Sequence, residues 1–462
     1  MKSFELQPTF ENILKAFEDD LLDRNIGVVH FLDLIHSLES GGAIALDARW
    51  GAGKTFFVKQ VKMVLDAFND HVISDCTQEK ERIMAAWDAI KMREKPDIQP
   101  MVTVYYDAWL NDNDDDPILS LVYTILQNVT TDFEFQKGPE CIEAAVGIVE
   151  VFTGRNLTSL MEVLKTPNPL ALLREKKDIH AQIEEFLESL LAEQGNRLIV
   201  FVDELDRCNP SYAVRLLERI KHYFSNDRVT FVFSVNTSEL QHTIKQYYGV
   251  GFDAGKYLDK FFDLRVDLPP ANLMRYYQEI GLSGDSSMYE AVCRRIAEIN
   301  NFTLRETAKF CKIEKIAAYK PFHSGNRHFS FDAGIALRFS LVCIVPIIIG
   351  LKISDQSKYD AFMRGEDSSP LHRFMQESDL ANALCSDMLK MDETFEASDI
   401  AQGKTEVTLS DKLDQIYNAL FVHIYDAKSF NIKIGRMSFS QATRMHVLNA
   451  VSLLSGYADY SD

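Results

Sequence analysis

Four apolar runs, "AIALDA" (43–48), "MVTVYYDAW" (101–109), "RLIVFVDE" (197–204) and "VTFVFSVN" (229–236), are rich in β-branched and aromatic residues and lack polar alternation. A strand loses its alternation when both faces of its sheet are covered, so these runs read as buried strands. A fifth, weaker candidate is "FFDLRVDL" (261–268). Helical patterns lie between them. Ile179, Ile183, Phe186, Leu187, Leu190 and Leu191 form one apolar face, and Val214, Leu217, Ile220 and Phe224 form another. Strands alternating with amphipathic helices predict a parallel α/β sheet with right-handed crossovers. Such a sheet takes its ligands beyond the carboxyl ends of its strands.

At that edge of the first run stands "LDARWGAGKT" (46–55). It follows the phosphate-loop pattern Gly-x-x-x-x-Gly-Lys-Ser/Thr except that Ala48 holds the first glycine's place. A loop that wraps a triphosphate must turn its backbone N–H groups inward, which Gly51 and Gly53 permit. Lys54 then meets the β and γ phosphates, and Thr55 offers its hydroxyl to Mg²⁺ at the start of "TFFVKQVKMVL". The helix dipole adds positive potential there. The first position eases the exit from the strand and does not touch phosphate, so alanine, the smallest residue with a Cβ, is a mild replacement. The candidate nucleotide-binding set is Arg49, Trp50, Gly51, Ala52, Gly53, Lys54, Thr55 and Phe56.

The third run drives into Asp203 and Glu204. In phosphate-loop enzymes an acid here holds Mg²⁺, and a following glutamate takes a proton from the attacking water. Asn236, ending the fourth run, either hydrogen-bonds that water or the γ-phosphate or serves as a strand-end cap. Arg207 is either an arginine finger toward a neighbouring subunit or one half of an ion pair. Lys260 and Arg305 raise the same question, and "TLRE" (303–306) fits a helix capping box.

Composition narrows the remaining possibilities. The chain of 462 residues is 46% apolar and carries a formal charge of −19, which argues against a general basic surface for nucleic acid. Seven scattered cysteines without a C-x-x-C suggest neither a disulfide framework nor a zinc site, and fit a reducing cytoplasm. The opening residues are acidic and do not read as a secretory signal. "FSLVCIVPIIIGL" (339–351) is thirteen residues interrupted by Pro346, short of the about 18–20 needed to span a membrane, and is expected to form a buried helix or helix pair. Beyond Pro269 and Pro270 the strand signals stop and helical patterns continue. The expected division is a nucleotide domain over 1–270, with an insertion at about 111–175, and a helical domain over 271–462.

These residues resemble the KAP P-loop NTPases, a family that includes bacterial and phage-exclusion proteins as well as animal membrane scaffolds. "ARWGAGKT" is similar to its phosphate loop, Trp50 included. "FVDELDRCNP" (201–210) is similar to its acidic signature with the Asp-Arg-Cys extension, and "YYDAWLNDNDDDPILSL" (105–121) to its Asn-x-Trp segment, with Asp107 in place of Asn. "YLDKFFDLRVDLP" (257–269) and "TLRETAKF" (303–310) look like later elements. The resemblance covers about residues 20–310. It implies an α/β P-loop NTPase fold of ASCE or STAND-like type with a strand added between the loop strand and the acid strand. It further implies ATP and Mg²⁺ as ligands, Asp203 on the metal with Thr55, and Glu204 as base. "LLDRN" (21–25) looks like the segment bordering the nucleotide base, which makes Asp23 and Arg24 candidates. Many members carry transmembrane helices between the two signatures, whereas "CIEAAVGIVEVFTG" (141–154) is too short and charged to span.

The expected function is therefore an ATPase acting as a conformational or assembly switch in bacterial antiphage defence. Homo-oligomers or companion defence proteins would be its partners, and no membrane is implied. The alternative is a nucleotide-dependent scaffold with negligible hydrolysis. No Asn-Lys-x-Asp motif speaks for guanine.

Overall fold

The structure, a computed structural model, describes residues 7–38, 40–72, 77–114, 116–132, 183–184, 186–188, 190–191, 195–224, 226–282, 288–322, 334–377, 409–426 and 430–452. Outside the described residues lie Ile179, the segment 141–154, and Cys76, Cys141 and Cys385. The chain divides into two compact units, 7–272 and 273–462 with the first six residues.

The first unit is built on five parallel strands: β1 (Gly42–Asp47), β2 (Val102–Asp107), β3 (Leu198–Asp203), β4 (Val229–Val235) and β5 (Leu264–Asp267). Their spatial order is β2-β3-β4-β1-β5. Thus β4 lies between the loop strand β1 and the acid strand β3, as the resemblance implies. Along β1 to β4 residues alternate between two apolar clusters, whereas in β5 only Leu264 and Val266 pack against one and Arg265 and Asp267 are exposed. Ile199 and Phe201 of β3 face α1 (Phe10–Glu18), α2 (Asn25–Ser37), α3 (Lys54–Ala67) and α4 (Thr77–Ala89). Leu198, Val200 and Val202 face α5 (Pro117–Asp132), the helical residues Ile183, Phe186, Leu187, Leu190 and Leu191, α6 (Pro210–Tyr223), α7 (Thr237–Tyr248) and α8 (Ala254–Leu258). Both faces are apolar because both are covered, which is why the strand sequences show continuous runs.

Register aligns the strand ends. Asp107 pairs with Asp203, Asp203 with Ser234, and Asp47 with both Val235 and Asp267. Four carboxylates therefore line the carboxyl edge where the phosphate loop leaves β1.

The second unit is mainly helical: α9 (Met274–Ile280), α10 (Met288–Ile299), α11 (Leu304–Phe322), α12 (Ile335–Phe339), α13 (Val345–Ser354), α14 (Gln356–Met363), α15 (Ser369–Glu377), α16 (Leu409–Tyr417) and α17 (Gln441–Ser452). The capping box forms as spaced: Thr303 N–H donates to Glu306 at 2.8 Å, and Glu306 N–H donates to the Thr303 hydroxyl at 3.3 Å. Two expectations need correction. The apolar segment is not thirteen residues but one continuous helical stretch, Ile335–Ser354, of twenty. Pro346 does not interrupt it, because a wide π turn over Ser340–Ile344 precedes it and absorbs the missing N–H and the bulk of the ring. By length and composition this stretch could cross a bilayer, yet 78% of its most apolar window is buried within the protein. Strands also reappear, as the hairpin β6 (Asn431–Ile434) and β7 (Met437–Ser440). Each strand has four residues, too few for period-two alternation to register. The turn rests on Gly435, whose φ of +56° suits glycine.

Candidate functional site

The loop between β1 and α3 has the backbone its glycines predict. Gly51 and Gly53 adopt φ of +78° and +95°, left-handed conformations that side chains disfavour. Gly53 caps α3, so the helix begins at Lys54 and its first N–H groups face the loop. Ala48 takes the missing glycine's place without distortion. Its N–H donates to the Val235 carbonyl at 3.2 Å, and its own carbonyl accepts from the Lys54 ammonium at 2.6 Å.

Lys54 is buried, and burial lowers its pKa, while Asp206, Asp203, Glu204 and Asp47 oppose that shift. The amine and the acids therefore converge on one edge of the sheet. The Thr55 hydroxyl donates to Asp203 Oδ2 at 2.7 Å. The same oxygen accepts from the Tyr105 hydroxyl at 2.9 Å, while Asp203 Oδ1 accepts the Glu204 N–H at 3.0 Å. Three donors hold a carboxylate that is 1% exposed. Tyr105 pays in acidity: burial, then Asp203, pushes its phenol well above the ordinary value.

Glu204 stands in the left-handed region at φ +61°, an uncommon place for glutamate and a mark of a constrained site. A single 3₁₀ turn, Leu205–Arg207, follows and is closed by Arg207 N–H on the Glu204 carbonyl at 3.0 Å. Burial raises the Glu204 carboxyl to about 7, helped by Asp203 and opposed by Arg207. Arg207 Nε pairs directly with Glu204 Oε2 in the same chain. Its guanidinium lies 5.8 Å from the Trp50 ring and 5.6 Å from the Trp109 ring. Trp50 in turn donates its indole N–H to Asp206. Burial raises Asp206, while the Trp50 bond and Lys54 lower it.

The other sequence candidates fall around this centre. Asn236 caps α7, its side chain accepting the Glu239 N–H at 3.4 Å. Next to it, Thr237 donates through its N–H at 2.9 Å and through its hydroxyl to Asp47, which ties the end of β1 to the start of α7. Arg24 reaches the loop from behind: Nε donates to the Pro269 carbonyl at 2.7 Å and Nη1 to the Ala52 carbonyl at 3.0 Å. Burial lowers its pKa to about 10. Asp23, exposed at φ +56°, accepts from Asn272 at 3.5 Å. Arg49 is exposed, and its carbonyl accepts from Lys54 at 3.5 Å. Phe56 packs half-buried against the cluster under α3. Lys260 is exposed beyond α8, and Arg305 lies in the first turn of α11 within the other unit.

Sequence patterning does not single out Tyr105, Asp206, Asp47 or Thr237. Tyr105 shares a strand face with Asp107 by the two-residue period, and that was the available signal. Among the described residues no group of three or more His, Cys, Asp and Glu is placed to hold a metal. A Thr hydroxyl beside one carboxylate nevertheless fits Mg²⁺, which prefers few protein ligands plus phosphate oxygens and water.

A glycine-turned loop feeding a helix, an acidic pair ending the strand two places away, and an extra strand between them define a P-loop NTPase, a nucleotide-binding protein. The chain belongs to the KAP family: residues 28–291, more than half of it, match the KAP family P-loop domain. An uncharacterized protein of Methanocaldococcus jannaschii is 39% identical over 57 residues, a match covering 11% of this chain and 29% of that protein. Among solved structures, that of the Aeropyrum pernix ORC2 protein in ADPNP and ADP complexes aligns over 95% of this chain and 93% of its own. Its identity is 12% and its TM-score 0.29, too low to establish a shared overall shape.

Proposed function

We propose that this protein binds ATP with Mg²⁺ and hydrolyses it slowly, as a conformational or assembly switch. The observation that carries this reading is the direct contact of Thr55 with Asp203 at 2.7 Å, with the Lys54 amine among the same acids. Lys54 and the loop N–H groups would bind the phosphates, and Thr55 and Asp203 would hold the metal, which supplies charge neutralisation at the transferring phosphoryl group. Glu204 would orient the attacking water and accept its proton. Asn236, at the next strand end, would help place that water. The loop residues Arg49 to Phe56 would border the nucleotide, with Asp23 and Arg24 on the side of its base.

The family's bacterial and phage-exclusion members support a place in antiphage defence, in the cytoplasm. Homo-oligomers or companion proteins would take up the signal through the helical part, residues 271–462. The test is phosphate release from ATP, with binding measured in parallel. Wild-type turnover that Glu204→Gln abolishes while ATP still binds supports the reading. The pairing of Glu204 with Arg207 favours a second reading, a nucleotide-dependent scaffold. It gains if neither chain releases phosphate and both assemble equally when ATP is added.

A further inference from the structure

Arg207 is three residues beyond Glu204 and is turned back onto it by the 3₁₀ turn. A carboxylate bonded to a guanidinium points at its partner and not at a water. The guanidinium is fixed on two further sides by indole rings at 5.8 and 5.6 Å, within cation–π range. One wall, Trp50, belongs to the phosphate loop beside Gly51 and is pinned by Asp206, the residue between Leu205 and Arg207. The other wall, Trp109, follows β2 and is 53% exposed, with Leu110 beside it at 79%. The loop that would receive phosphate and the glutamate that would act on water are thus connected through Trp50, Asp206 and Arg207.

We propose that Arg207 is a positioning residue acting in its own chain: held between Trp50 and Trp109, it clamps the Glu204 carboxylate, and turnover requires the clamp to open. This rests on the ATPase reading above and names how that site is regulated. Nucleotide entering the loop displaces Trp50, loosens the grip on Arg207 and frees Glu204. The exposed Trp109 wall offers a second place from which the clamp can be opened.

The chain has three tryptophans, Trp50, Trp87 and Trp109, so in a Trp87→Phe background fluorescence reports the two clamp walls alone. Arg207→Gln should change the emission maximum without nucleotide, and ATP with Mg²⁺ should produce a change in the same direction in the otherwise wild-type chain but not in Lys54→Ala. Arg207→Gln and Trp109→Ala should each raise kcat several-fold while KM stays within about twofold, a split that general loosening of the fold does not produce. Loss of turnover in Arg207→Gln with ATP binding intact overturns the clamp. Its recovery on mixing with Glu204→Gln chains would show a finger acting between subunits instead. Emission unmoved by Arg207→Gln, or by ATP in a chain shown to bind it, overturns the clamp whatever the turnover. Absence of phosphate release from every chain sinks the ATPase reading, and the emission result then decides the clamp alone.

Discussion

Asp203 Oδ2 accepts two hydroxyl hydrogen bonds, from Thr55 at 2.7 Å and from Tyr105 at 2.9 Å. One donor comes from the helix after the phosphate loop and the other from the neighbouring strand β2. The carboxylate is thereby aimed from two sides at the point where Mg²⁺ is expected. Removing the Tyr105 hydroxyl leaves Thr55 as sole donor to that oxygen. Tyr105→Phe should raise the Mg²⁺ concentration needed for half-maximal turnover by up to about tenfold, the worth of one hydrogen bond to a charged group. ATP binding without metal should hardly change. Metal titration of phosphate release measures the first effect and equilibrium dialysis the second.

Ala48→Gly tests whether the departure from the loop pattern matters. Ala48 works through its backbone, donating to Val235 and accepting from Lys54, and glycine preserves both bonds. Nucleotide affinity should therefore change less than about twofold, and stability should fall by roughly 0.5–1 kcal/mol from added chain entropy. Calorimetric titration would reveal a larger affinity gain, which would mean that the alanine impairs the loop.

Arg24 joins the loop to the chain after β5 through the carbonyls of Ala52 and Pro269. Arg24→Met keeps much of the volume and strands two carbonyls. It should cost about 1–3 kcal/mol in urea unfolding, with weaker nucleotide binding as the loop loosens. Unchanged stability and affinity together would show that water replaces the guanidinium without penalty.

Glu314, on α11, is buried, and its Oε1 has no hydrogen-bond partner. Burial raises its carboxyl to about 8, against an ordinary 4.5, while the Tyr289 hydroxyl pulls it down. The fold thus keeps this proton after an unfolded chain has released it. The contribution of Glu314 to stability is full below about pH 4.5 and declines as pH rises toward 8, because the unfolded state is then the one that ionises freely. Thermal melts between pH 5 and 9 should show this decline, and Glu314→Gln should flatten it. A decline unchanged by the substitution would assign the pH dependence to other groups.

Gly350 marks a close helix approach in the helical unit. A Cβ there would lie 2.7 Å from Ile296 Cγ2 and 3.4 Å from Asn300 Nδ2. Gly350→Ala should therefore destabilise by about 1–3 kcal/mol even though alanine favours helix. Denaturant unfolding would decide whether the helices separate at lower cost.

Much of the site was legible because its chemistry is local. The loop glycines, Lys54 and Thr55 sit at fixed offsets, and Asp203 and Glu204 end a recognisable apolar run. The partners of these residues were less legible. Nothing near Asp203 in the chain announces Tyr105, which lies 98 residues away. Arg207 admits two readings from the sequence, and only the 3₁₀ turn shows that it meets Glu204 of its own chain. Pro346 read as an interruption because local rules take no account of a π turn that accommodates it.

Periodicity records how many faces of a segment are buried, and so the sequence alone determined a covered parallel sheet with a phosphate loop and an acidic pair at strand ends. Which strands are neighbours depends on contacts between distant segments, and these are energetically coupled only once the chain has packed. The tertiary structure therefore decided that β2 is the neighbour of β3, that Tyr105 and Thr55 share one oxygen of Asp203, and that two tryptophans from separate loops enclose Arg207.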